Sequence, residues 1–196
     1  MYPGKQVVSR AEQPAFIMAE TGERVTYAEL ERRSNRLAHL LRATGLRRLD
    51  HYAIFMENNA RYVECCAAGI RSGLYFTCVN SYLTVEELAY IVDNSQSRIL
   101  ISSMACREVA LAALTKCPRV ELCLLADGPG DGKRVLNLDE AVSGFHDTPI
   151  VDEALGTPML YSSGTTGRPK GVLRPLPELP PSGELPLFEF LTKQWR

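Results

Sequence analysis

Short apolar runs alternate with amphipathic stretches from Tyr52 to Leu125, and this alternation constrains the fold more than any other feature. Tyr52–Met56, Leu74–Val79, Arg98–Ser102 and Val120–Leu125 are rich in β-branched, aromatic and aliphatic residues, as strands require. Between them, residues 59–71, 84–93 and 105–115 carry apolar residues at helical spacing. Tyr62, Cys66 and Ile70 share one helical face, and Gly73 closes that helix. Upstream, Thr26 and Glu29 form a capping box, a hydroxyl at the N-cap and a carboxylate three residues on. Leu30, Leu37, Leu40 and Leu41 follow at helical spacing, with Gly45 as C-cap. Arg32, Arg33, Arg36 and Arg42 fill the other positions and read as a solvated face. Thr84 and Glu87 form a second capping box. A loop spans 126–133, a short helix 136–142, and 156–161 leads into a final strand. Strands alternating with helices predict an α/β fold, with βαβ-type units forming a parallel sheet flanked by helices. Such sheets place ligands at the carboxyl ends of their strands.

Composition narrows the function. The chain has 196 residues, 45% hydrophobic and 23% charged, enough to bury a core and too apolar for disorder. Lys and Arg total 22 against 23 Asp and Glu, and this balance lacks the basic excess of a dedicated nucleic-acid binder. No apolar run suits a secretory signal or a membrane helix, so the expected location is cytoplasmic. The six cysteines contain no Cys-x-x-Cys pair, and five have apolar neighbours, so they read as buried thiols in a reducing compartment. His39, His51 and His146 are scattered, and no residue is assigned as a metal ligand.

The C-terminal stretch differs. Half of the twelve prolines lie between Pro169 and Pro186, so residues 173–184 are expected to lack regular structure. Residues 187–196 then turn apolar and helix-like, with Phe188, Phe190 and Trp195, and end within that pattern.

The segment with chemistry is Tyr161-Ser-Ser-Gly-Thr-Thr-Gly-Arg-Pro-Lys-Gly171. Its glycines let backbone N–H groups approach an anion closely. Ser162, Ser163, Thr165 and Thr166 offer hydroxyl donors, and Lys170 a point positive charge. Pro169 fixes φ just before that lysine. These properties suit a polyphosphate cradle. It is not a Walker A loop, because five positions after Gly164 stands Pro169 rather than glycine. Nor does it have the Gly-x-Gly-x-x-Gly spacing of a dinucleotide turn.

This segment, extended through Val172, resembles the phosphate-binding signature of the AMP-forming acyl-CoA synthetases, the adenylate-forming enzymes. Val25-Thr-Tyr-Ala-Glu-Leu with Ser34-Asn-Arg-Leu-Ala resembles the family's first helix. Residues 53–58, 71–75 and 79–84 resemble its first sheet, in the style of fatty-acyl-CoA synthetases. The resemblance implies a two-step ligation. A carboxylate, a fatty acid in the style of those relatives, attacks the α-phosphorus of ATP to give acyl-adenylate and pyrophosphate. Coenzyme A then displaces AMP, and Mg2+ accompanies ATP. It also implies that Ser162, Ser163, Gly164, Thr165, Thr166, Gly167 and Lys170 hold the β- and γ-phosphates, with Ser162 where threonine is common. No residue is assigned a catalytic role.

Family members continue past the loop with a Tyr-Gly-x-Thr-Glu segment, a Thr-Gly-Asp segment and a small domain bearing the adenylation lysine, and none of these occurs here. Residues 1–172 are therefore expected to form a partial adenylation domain ending in the phosphate loop 161–172. Residues 173–196 are expected to be a Pro-rich connection and a truncated helix. The leading expectation is an N-terminal part of an acyl-CoA synthetase, inactive alone. The alternative is a non-catalytic nucleotide- or partner-binding module with an interface around Phe188, Phe190 and Trp195. An unrelated phosphotransferase is a third reading, disfavoured by the missing Walker A pattern.

Overall fold

A computed structural model describes residues 2–162, 168–176 and 178–183. Five strands, β3 (His51–Phe55), β4 (Tyr75–Val79), β5 (Ile99–Ser102), β6 (Leu122–Leu125) and β7 (Val135–Asn137), join β8 (Thr157–Pro158) in one six-stranded sheet. Its spatial order is β7-β6-β5-β3-β4-β8, and every pairing is parallel. Counting from β3 this is the flavodoxin-like doubly wound order with one strand added beside β4. The sequence-based expectation of an α/β fold with a parallel, helix-covered sheet is met.

The two faces of the sheet follow the period-2 alternation of strand side chains. Tyr52, Ile54, Ile99, Ile101, Leu122 and Leu124 pack on one side, under helices α2 (Tyr27–Ala43), α3 (Ala60–Arg71) and α6 (Leu138–Val142). Ala53, Phe55, Leu100, Cys123 and Leu125 pack on the other, under α4 (Val85–Asn94) and α5 (Arg107–Leu114). Burial on both faces explains why these strands read as continuous apolar runs. The chain leaves β3 through α3 to reach β4, then crosses back through α4 to β5, so its helices change faces at β3. Right-handed crossovers in opposite directions require that change.

Both capping boxes form. The Thr26 hydroxyl accepts from Glu29 N–H while the Glu29 carboxylate accepts from Thr26 N–H at 2.8 Å, and Thr84 and Glu87 repeat the arrangement. Gly45 follows the C-cap Thr44 at φ +84°, a conformation that favours glycine.

Four features depart from the sequence-based expectations. First, α1 (Pro3–Arg10) and the antiparallel pair β1 (Pro14–Ile17) and β2 (Arg24–Thr26) precede α2. Second, residues 156–161, expected to lead into one final strand, hold one strand and the start of another. β8 extends the main sheet, and after Met159 the chain enters β9 (Leu160–Ser162), which pairs with β10 (Lys170–Val172). Third, the arginine face of α2 is only partly solvated. Arg42 bonds Asp152 at 2.9 Å and the Ser72 carbonyl at 2.8 Å, and Arg36 lies 3.6 Å from Asp147. These contacts tie α2 to the segment that leads into β8.

Fourth, the cysteines are not uniformly buried. Cys65, Cys106, Cys117 and Cys123 are buried, but Cys66 is half-buried and Cys78 exposed. Cys78 sits near the carboxyl end of β4, beyond Tyr75 and Phe76, the two residues that pair with β8. Arg71 is fully buried at the end of α3, with Glu31 at 2.6 Å and Glu153 at 3.5 Å. The Tyr2 ring lies 5.3 Å from its guanidinium carbon. This cluster fastens α1, α2, α3 and the approach to β8 together.

Candidate phosphate-binding site

The hydroxyl- and glycine-rich segment lies on the β9–β10 hairpin. Its register places Ser162 opposite Lys170, Tyr161 opposite Gly171 and Leu160 opposite Val172. Two of the seven residues expected to contact phosphate, Ser162 and Lys170, are thus cross-strand partners, and both are exposed. Ser163, Gly164, Thr165, Thr166 and Gly167 lie outside the described residues. A hydroxyl and an ammonium at paired, exposed positions of this hairpin are two donors available to an anion.

Helix α4 holds both stems of this hairpin. On the outgoing stem, Tyr161 Oη donates to Asn94 Oδ1 at 2.7 Å. Burial pushes the Tyr161 phenol up to about 12, so it keeps the proton it donates at neutral pH. On the returning stem, Tyr90 Oη donates to the Pro169 carbonyl at 3.0 Å, and the Arg168 guanidinium carbon sits 5.3 Å from the Tyr90 ring centroid. Glu86, Asp93, Lys116 and Arg168 border a cleft of about 400 Å³ beside this contact.

Further anchors lie closer to the main sheet. The Met159 N–H donates to the Phe76 carbonyl at 2.9 Å, continuing the ladder of β4 one residue past β8. Tyr75 Oη donates to the Arg174 carbonyl at 2.6 Å, and Arg48 reaches the Leu176 carbonyl at 2.6 Å. Gly156 is needed for this approach, because a Cβ there would stand 2.0 Å from the Gly69 carbonyl oxygen.

A second polar cluster occupies the carboxyl ends of β3 and β5, where the connections of adjacent strands leave on opposite faces. Doubly wound sheets open a crevice at this position. Glu57, just past β3, accepts from the Ser103 hydroxyl and from Asn59 Nδ2, the latter at 2.8 Å. Burial raises its proton affinity, but these hydrogen bonds outweigh it and hold the carboxyl below its ordinary value. Met56, Glu57, Asn58, Tyr62, Cys78 and Asn80 line an adjoining cleft of about 530 Å³. Among the described residues, no three His, Cys, Asp or Glu side chains cluster as metal ligands. The rings of His39 and His146, scattered in sequence, come within 6.0 Å of each other.

Sequence reasoning did not find Tyr90, Asn94 or Arg168 as supports of the loop. Nothing local marks a helix more than 60 residues upstream as the partner of Tyr161. Glu57 and Ser103 were findable in principle, as polar residues directly after apolar strands of a parallel sheet.

The geometry defines a class: a doubly wound sheet with a Ser/Thr/Gly/Lys hairpin held against its helical face. Comparison with known proteins narrows it. The family model described as "AMP-binding enzyme" matches residues 4–176. A 3-oxocholest-4-en-26-oate–CoA ligase of Rhodococcus rhodochrous is 31% identical over 166 residues, covering 80% of this chain and 29% of that protein. A feruloyl-CoA synthase of Amycolatopsis sp is 34% identical over 169 residues, covering 84% of this chain and 31% of that protein. The crystal structure of an anthranilate CoA ligase in complex with anthranoyl-AMP superposes with a TM-score of 0.78 at 21% identity, covering 87% of this chain and 33% of that one. The chain belongs to the AMP-binding enzyme family. It spans about 30% of the length of the curated relatives it matches.

Proposed function

We propose that this chain is the phosphate-loop-bearing part of an ATP-dependent acyl-CoA ligase, forming acyl-AMP from a carboxylate and then a thioester with coenzyme A. The single observation that carries the reading is the hairpin: Ser162 and Lys170 face each other, exposed, at the neck of the Ser/Thr/Gly segment, within a chain of this family. Residues 1–172 would be the partial adenylation domain and 173–196 its connection onward. ATP would enter with Mg2+ as substrate. Ser162, Ser163, Gly164, Thr165, Thr166, Gly167 and Lys170 would receive its β- and γ-phosphates through hydroxyl and backbone N–H donors and one ammonium.

In this role the chain's own work is positioning and charge neutralisation, which dominate phosphoryl chemistry. Helix α4 fixes the two stems, at Pro169 and at Tyr161, on either side of the Ser/Thr/Gly segment. Lys170 supplies positive charge where phosphate charge accumulates. The carboxylate would be a fatty or aromatic acid, since the relatives are named for a steroid acid, ferulate and anthranilate. The isolated chain carries no adenylation lysine segment and would make no acyl-CoA.

The test is product analysis with magnesium-ATP, coenzyme A and a panel of carboxylates, alongside ATP binding. Binding that is lost in Lys170→Ala, without acyl-CoA formation, is expected. Carboxylate-dependent AMP release, lost in Lys170→Ala, would show the isolated chain to be active. Formation of ADP would replace the ligase reading with a phosphotransferase.

A further inference from the structure

Cys66 and Cys78 lie outside the hairpin and are not used by the reading above. Cys66 is on α3, Cys78 is on β4, and their Sγ atoms are 3.9 Å apart. A disulfide needs about 2.05 Å between sulfurs, so forming one requires the two side chains to turn toward each other. The pair is accessible: Cys78 is exposed and lines the 530 Å³ cleft at the carboxyl end of the sheet. The other cysteines, Cys65, Cys106, Cys117 and Cys123, are buried.

We propose that Cys66 and Cys78 form a reversible dithiol–disulfide site that reacts with low-molecular-weight disulfides, with Cys78 as attacking sulfur and Cys66 as resolving sulfur. The electrostatics agree with that division. The hydrogen bond between the two sulfurs lowers the Cys78 thiol below its ordinary value against the opposing effect of burial, and the neighbouring Tyr62 hydroxyl lowers it further. The same hydrogen bond, followed by burial, pushes Cys66 up. Burial pushes up Cys65, Cys106 and Cys117, and Cys123 to about 12. Thiolate character and access together select the reactive cysteine, and both favour Cys78.

The chemistry balances as two exchanges. The Cys78 thiolate attacks one sulfur of R–S–S–R, a mixed disulfide forms, and the first thiolate R–S⁻ leaves. Cys66 gives its proton to that leaving thiolate and attacks the Cys78 sulfur, releasing a second R–S⁻ that takes a proton from water. Two cysteines are oxidised and one disulfide is reduced to two thiols. The new bond joins α3 to β4 at the mouth of the cleft beside Glu57, and added thiol reverses it.

The experiment is oxidation of the 196-residue chain with oxidised glutathione, followed by alkylation, intact mass and tryptic mapping. Trypsin separates the two sulfurs, because peptide 62–71 holds Cys65 and Cys66 and peptide 72–98 holds Cys78, and fragmentation of the linked pair tells Cys65 from Cys66. The expected product has one cross-link between those peptides and four alkylated thiols, and dithiothreitol restores all six. Cys66→Ser should accumulate a glutathione adduct at Cys78, about tenfold faster than any other thiol reacts. Cys78→Ser should give neither adduct nor cross-link. Six alkylated thiols after oxidation, a mixed disulfide at Cys78 that does not resolve, or a cross-link elsewhere would overturn the proposal. Should either variant fail to fold by circular dichroism, trace labelling of the unsubstituted chain decides, since Cys78 must be the first thiol modified.

Discussion

Ile54, Phe55 and Leu124 in the main sheet have no exposed surface, whereas Leu160 and Val172 in the β9–β10 hairpin are about half exposed. The sheet is fixed by apolar burial on two faces, which many side chains share. The hairpin is fixed by a few directional contacts, chiefly Tyr90 to Pro169 and Tyr161 to Asn94. Stability and chemistry are therefore divided between regions. A stable frame holds a segment whose own exposed residues remain free to meet a ligand. That division can be broken or sharpened by substitution.

The largest effect should come from Phe55→Ala, which empties a fully buried site and should cost about 3–5 kcal/mol in chemical denaturation. Leu160→Ala in the hairpin should stay within about 0.5 kcal/mol. Equal losses would erase the distinction. Next is Arg71→Leu, which leaves Glu31 and Glu153 facing each other without their cation. A loss of about 3 kcal/mol is expected, and the melt should show it, because this cluster joins α1, α2 and α3.

Glu64 tests the frame by pH. Burial lifts its carboxyl to about 7, against the attraction of Arg61, from an unfolded value of 4.5. The folded state thus holds the proton more tightly, so this contribution is full below pH 4.5 and is lost as pH rises through about 7. Glu64→Gln should remove that component and flatten the decline between those values, a difference of up to about 3 kcal/mol in a pH series of melts. An unchanged slope would contradict it. The smallest effect is Tyr90→Phe, which deletes one donor to the returning stem. Tryptic cleavage after Lys170 should rise about five-fold while the melt stays put, as befits one hydrogen bond of about 1 kcal/mol at a local site.

Much of the frame was legible in the sequence because its signals are local. Thr26 with Glu29, and Thr84 with Glu87, mark helix starts within four residues. The strands stood out because burial on both faces leaves them uniformly apolar. The order β7-β6-β5-β3-β4-β8 was not legible, since it depends on which faces the crossovers take. α1 and the β1–β2 pair were missed because they are short and bury little. The burial of Arg71 was not legible either, because it is set by partners at positions 31 and 153. Within the site, Ser162 and Lys170 were marked by their motif, but their facing register and the α4 supports are products of the fold. Cys78 was read as buried from its apolar neighbours, but it lies beyond the two residues of β4 that pair with β8, and it is exposed.

The most direct measurement is a heteronuclear NMR titration of the chain with magnesium-ATP, paired with thermal melts of the unsubstituted chain and Lys170→Ala. Expected are shifts confined to residues 160–172 and the last turns of α4, lost in Lys170→Ala with the melt unchanged. Shifts centred on Glu57 and Ser103 at the ends of β3 and β5, or shifts that survive Lys170→Ala, would contradict the hairpin as the phosphate-binding element.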